Sequence, residues 1–191
     1  MLWEQEVVSS NLAAPTLTGI PGAALPMPMS ALHAAALKAF KAQGWSHTEV
    51  SGMEVVEMAF EAHHAKIPVH AQSYGDAGII SVVAQAAMPV PRTHRLPAAE
   101  MLMRVNKELN VGNFELDWDE GRVMFRVTNI FPTGHYDENI LAGLVHLAIA
   151  EMDRLTPFLG EICRVSKSEL PLLRVPDLLR RSDLLPPPLE E

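Results

Sequence analysis

The sequence predicts an α+β fold in which a twisted antiparallel sheet, made of a three-strand meander plus a hairpin, is flanked by helices. The expected order is α-β-β-β-α-β-β-α. Three observations carry this expectation. In three separate stretches apolar residues recur every three or four positions, the period of an amphipathic helix. Between them the period falls to two, that of a half-buried strand. Glycine, proline or a short acidic turn marks each change of period.

The elements follow in order. Ser30 offers an N-cap to a helix over 31–43, with Leu32, Ala36, Leu37 and Phe40 on one face and Gly44 after its end. Val56, Met58 and Phe60 then alternate with Val55, Glu57, Ala59 and Glu61 to give a first strand. A turn over 63–66 leads to a second strand at 67–74, and Gly75-Asp76-Ala77-Gly78 leads to a third at 79–88. Pro68 lacks an amide hydrogen, so its strand is expected at a sheet edge, or to begin there with that position unpaired. Pro97 fits the first turn of a helix that runs to about Leu109 and carries Met101, Leu102 and Val105 on one face. Phe114, Leu116 and Trp118 alternate with Glu115, Asp117 and Asp119; Glu120-Gly121 turns the chain, and Val123, Phe125 and Val127 return it as a hairpin. Asp137 caps a final long helix through Ile140, Leu144, Leu147, Ile149 and Met152, and Pro157 is expected to break or restart it.

Three regions result: a proline-rich N-terminal arm (1–29), the α+β domain (30–165) and a leucine- and proline-rich C-terminal tail (166–191). In the arm, Pro15, Pro21, Pro26 and Pro28 with Gly19 and Gly22 disfavour regular helix. In the tail, Leu172-Leu173, Leu178-Leu179 and Leu184-Leu185 recur every six residues, interrupted by Pro171 and Pro176. Burying one leucine is worth about 1.5 to 3 kcal/mol, so the tail is expected to dock on its own domain, on a twin subunit or on a partner.

At 191 residues, with 48% apolar and 20% charged residues, the chain has the composition of one soluble globular domain. Fifteen Lys and Arg against 23 Asp and Glu give a net charge of −8, which disfavours direct nucleic-acid or anionic-membrane binding and favours a basic protein partner, including a nucleic-acid-binding one. The lone Cys163 cannot form an internal disulfide, no apolar run approaches membrane-spanning length, and the first residues are acidic, so a cytoplasmic location is expected.

Between Ala98 and Ile162 the chain carries Arg104-Val105-Asn106, then Gly112-Asn113-Phe114-Glu115-Leu116-Asp117, then Asp119-Glu120-Gly121 and Val123-Met124-Phe125-Arg126, and finally Met152-Asp153-Arg154 with Pro157. In these motifs it resembles the YbjN-like family of bacterial sensory transduction regulators. The resemblance implies the type III secretion chaperone-like fold, commonly dimeric and binding segments of other proteins, and it implies no reaction. The proline-rich arm and the leucine tail have no counterpart in it.

Residues able to carry chemistry do not assemble into a familiar motif. The eight histidines lack metal-ligand spacing; His63 and His64 point to opposite sides if extended. Asp117-Trp118-Asp119-Glu120-Gly121 starts like a calcium loop but places glycine at the fifth position instead of the sixth. Cys163 has no diagnostic neighbours, and no nucleophile elbow, phosphate-binding loop or dinucleotide fingerprint is present. Asn106 and Arg104 are expected to serve the scaffold at a helix end. Trp118, Phe114 and Phe125 sit among acidic residues, which favours core packing over base stacking.

The chain is therefore expected to be a noncatalytic protein-binding module, chaperone-like or an adaptor, with no cofactor and no metal. The expected partner contacts are Glu57, Glu61, Glu115 and Asp117 on strand faces, with Leu172, Leu173, Leu178 and Leu179 in the tail. A homodimer is expected to use Ile140, Leu144 and Leu147. The alternative is a small-molecule sensor or an enzyme whose site is assembled across the sheet, which would require a deep pocket with convergent polar groups.

Overall fold

The computed structural model describes residues 29–185 except Thr133. The expected arm, apart from Met29, lies outside the described residues, as does the end of the tail beyond Leu185. Helix α1 (Ala31–Ala42) starts at Ser30, whose side chain accepts the His33 amide. Strands β1 (Thr48–Glu49), β2 (Val55–Glu61), β3 (Lys66–Tyr74) and β4 (Ile79–Gln85) follow. Helix α2 (Arg95–Asn106) leads into the hairpin β5 (Asn113–Leu116) and β6 (Val123–Ile130). Helix α3 (Glu138–Arg164) is capped by the Asp137 carboxylate, and a one-turn helix α4 (Val175–Leu178) lies in the tail.

All six strands form one antiparallel sheet in the order β1-β2-β3-β4-β6-β5. The hairpin joins the meander because β6 pairs with β4 from Ile79↔Ile130 to Gln85↔Met124. The first helix, meander, second helix, hairpin and long helix thus stand in the expected order, with the two-residue β1 added. It is too short for an alternation to announce it.

The three long helices pack on one side of the sheet. Residues of one phase, including Val56, Ile67, Ile80, Val82, Phe125 and Val127, are buried with Leu32 and Phe40 of α1, Met101 of α2, and Leu141, Met152 and Ile162 of α3 in a single core. Burying each large side chain there contributes about 1.5 to 3 kcal/mol.

One sheet edge is closed by a side chain. The Phe114 amide donates to Asn106 Oδ1 at 2.7 Å, and Asn106 Nδ2 donates to the Phe114 carbonyl at 3.0 Å, so the α2 amide stands where a neighbouring strand would pair. At Gly112, with φ of 77°, a Cβ would come within 2.4 Å of the Phe125 ring; only glycine lets the chain turn from α2 into β5 so close to the core.

Two expectations are corrected, and that for Pro68 holds in its second form. Strand β3 is interior rather than an edge, and Pro68 is left unpaired on the β4 side, where pairing starts only at Val69↔Ala84. Helix α3 runs through Pro157 without a break, because Phe158, Leu159 and Ile162 beyond it are buried and hold the last turns against the core. Trp118 is 56% exposed; β5 ends at Leu116, so the alternation that would carry the indole inward stops at the Asp117 turn.

The tail returns to the domain. Buried His94 donates from Nε2 to the Val165 carbonyl at 2.8 Å and accepts the Thr93 hydroxyl at Nδ1. Val175 and Leu178 are buried where α4 meets α2, Leu173, Leu179 and Leu184 are partly buried, and Leu172 points into solvent. No described helix is long and apolar enough to cross a membrane.

Candidate functional site: the bare face of the sheet

Because side chains alternate along a strand, the phase that does not meet the helices forms a second face. Pairing places its residues in rows across the strands. At one end lies the row Tyr74, Ile79 and Ile130; next come Gln72, Ser81 and Thr128; the central row is Glu57, His70, Val83, Arg126 and Asn113. Met124 and Glu115 follow, beside Gln85.

The centre of this face is a bonded polar layer. The Arg126 guanidinium grips Glu115 with both ends, Nε to Oε1 at 2.8 Å and Nη2 to Oε2 at 3.0 Å, and reaches the Ser81 hydroxyl at 3.4 Å. Thr128 also donates to Ser81. Val83, flanked by His70 and Arg126, is 1% exposed although it lies outside the main core. Burial, reinforced by the Arg126 charge, pushes the His70 pKa down to about 4, so this imidazole is neutral at pH 7. The end row differs: it carries no charge, Tyr74 is 42% exposed and Ile130 is 70% exposed.

The expected partner residues separate. Glu57 is exposed on this face, and Glu61 is exposed beside Lys66, 3.1 Å away. Glu115 is spent on Arg126. Asp117 holds its turn, accepting the Asp119 and Glu120 amides at 2.9 and 3.0 Å, with Arg122 at 3.5 Å. The bond from the Glu120 amide, followed by that from Asp119 and by Arg122, holds its carboxyl below the usual range. Three strands separate β2 from β5, so these carboxylates form no common patch. In the tail, Leu178 is inside, Leu173 and Leu179 are half-buried, and Leu172 is exposed. On α3, Leu144 belongs to the core, Leu147 packs partly on it, and Ile140 is 44% exposed.

Sequence reasoning passed over Tyr74, Ile79 and Ile130. The signal was present: each is an apolar residue in the polar phase of its strand, at the strand's end. Reading it requires the register that brings the three strand ends together.

A cavity of about 110 Å³ between α2, α3 and the tail is lined by Val105, Leu155, Phe158, Leu179 and Leu185, with Arg154 bonded to Glu151 at its side. It is smaller than the roughly 300 to 1,000 Å³ usual for ligand sites and lacks convergent polar groups. Among the described residues no three His, Cys, Asp or Glu side chains gather as metal ligands. The His63 and His64 rings meet at 4.6 Å, since the turn brings together what an extended chain would part. The Cys163 thiol is half-buried, and burial pushes its pKa up, away from nucleophile chemistry.

The YbjN family model, described as "Putative bacterial sensory transduction regulator", matches residues 37–161. Among solved structures, a chain of the ExsC-ExsE complex superposes with a TM-score of 0.53 at 9% identity, covering 69% of this chain and 97% of its own. The crystal structure of YbjN, titled a putative transcription regulator from E. coli, gives a TM-score of 0.48 at 12% identity, covering 63% of this chain and 84% of its own. At such identities the first likeness is one of fold. No curated protein matches the sequence.

Proposed function

Because this chain belongs to the YbjN family and, among the described residues, the long helices pack on one side of its sheet, we propose that it is a noncatalytic regulatory or chaperone-like protein that binds a segment of another protein on the bare face. The observation that carries this reading is the uncharged end row, Tyr74, Ile79 and Ile130, in which Tyr74 and Ile130 are exposed, beside a centre where Arg126, Glu115, Ser81 and Thr128 are bonded to one another. Apolar side chains grouped on such a surface gain about 25 cal/mol for each Å² they lose to a partner. The net charge of −8 and the exposed Glu57 favour a basic partner, with charge acting more on encounter rate than on affinity. The ExsC-ExsE neighbour, itself a protein–protein complex, is consistent with a fold used to bind protein.

The same reading includes a homodimer in the cytoplasm, with Ile140 exposed on α3 as a contact. Asn106 occupies the outer edge of β5, so subunits associate through faces rather than by pairing at that edge. Sedimentation equilibrium at micromolar concentration should give a mass near twice 21.0 kDa; a monomer mass rejects the dimer.

Affinity capture from the native cell tests the binding reading. The wild-type chain should retain at least one protein that the double variant Tyr74→Asp, Ile130→Asp loses, while Leu96→Asp, altered on the exposed side of α2, keeps it. Equal capture by all three would reject the bare face as the binding surface.

A further inference from the structure

We propose that the chain's own N-terminal arm, residues 1–28, docks on the apolar end row of the bare face, across Tyr74, Ile79 and Ile130. The first argument is where the arm joins the domain. The Ser30 amide and hydroxyl donate to the two carboxylate oxygens of Glu54, at 2.5 and 2.7 Å. Ser30 also lies so close to Gly75 that a Cβ there would come within 2.3 Å of the serine Cβ. Glu54 and Gly75 are the immediate chain neighbours of Val55 and Tyr74, where β2 begins and β3 ends. The arm is therefore delivered at the apolar end of the sheet, not at its polar centre, and Met29 beside the junction is 51% exposed.

The second argument is chemical match. Every residue from Val7 to Met29 is uncharged, and so is every residue of the row. That stretch carries Val7, Val8, Leu12, Leu17, Ile20 and Leu25, side chains that gain by leaving water. Glu4 and Glu6 are the arm's only charged side chains and lie at its far end.

The third argument is reach and entropy. Twenty-eight residues can span up to about 90 Å, whereas the row crosses three adjacent strands, about 10 Å. Pro15, Pro21, Pro26 and Pro28 restrict the undocked chain and reduce what ordering costs. The contact is a property of the chain alone. The consequence that the arm competes with a partner for the row rests on the bare-face reading above.

Photo-cross-linking tests the contact on purified full-length protein without partner. Ile130 is replaced by p-benzoylphenylalanine, irradiated at submicromolar concentration and digested, and the links are mapped by mass spectrometry. A second protein carries the same group at Leu96, exposed on α2. Links within one chain from position 130 to residues 1–28, absent from position 96, are expected. No link from 130 to the arm, equal links from both positions, or links from 130 only to a second copy would each overturn the proposal. With the partner absent, failure here leaves the capture experiment intact, and failure of capture leaves this contact intact.

Discussion

Val82 and Val83 are neighbours in β4 and both are buried, yet they answer to different surroundings. Val82 faces the helices and belongs to the core with Phe125 and Leu141. Val83 faces away from them, flanked by His70 and Arg126. The covered face excludes water with whole helices; on the bare face Val83 and Ser81 are buried within a layer of polar side chains. Substitutions on the first should therefore cost stability, and substitutions on the second should mostly change what the protein touches.

The largest expected effect tests that division directly. Phe125→Ala removes a fully buried ring and should cost about 3 to 5 kcal/mol in urea unfolding. Ile130→Ala, five residues along the same strand, should cost less than about 0.5 kcal/mol. Similar losses from both would erase the distinction.

Asn106→Ala comes next. It strips both backbone groups of buried Phe114 of their edge partner, at about 1 to 3 kcal/mol, and uncovers β5. Lower stability together with concentration-dependent self-association should follow; a variant as stable and as monodisperse as wild type would show that the side-chain bridge does not guard the edge.

A pH titration sharpens the contrast at the bare face. The His70 pKa is near 6.5 unfolded and about 4 folded, so below pH 6.5 the unfolded chain binds more protons and stability falls as pH falls toward 4. The loss should reach about 2 kcal/mol by pH 5. Burial also lowers the His33 pKa, and this acts in the same direction. His70→Gln should flatten the pH 7 to pH 5 slope without abolishing it, and an unchanged slope would contradict the burial of this imidazole. The smallest effect belongs to Glu57→Gln, an exposed residue whose loss should leave the melting temperature within about a degree and slow encounter with a basic partner.

Much of this architecture was legible because local period and burial agree. Val56, Met58 and Phe60 on one strand, and Val123, Phe125 and Val127 on another, announced the covered face before any pairing was known. The caps at Ser30 and Asp137 set two helix starts. Pro157 misled because core contacts beyond it outweigh the missing amide, and Trp118 misled because the alternation stops one turn early. The candidate site was harder to read. Glu115 and Asp117 look free in sequence, but their partners Arg126 and Glu120 are fixed by the hairpin. Tyr74, Ile79 and Ile130 become a row only once β3, β4 and β6 lie side by side.

The central claim is that one sheet carries a packing face and a contact face, and its isoleucines report on both. Ile67 and Ile80 lie on the covered face, whereas Ile79 and Ile130 lie on the bare one. The most direct measurement is a methyl-labelled isoleucine NMR spectrum recorded while the captured partner is titrated in. The account predicts that the Ile79 and Ile130 methyl signals shift or broaden first and that Ile67 and Ile80 hold their positions. Perturbation confined to Ile140 and Ile149 on α3, with Ile79 and Ile130 unmoved at saturation, would contradict it.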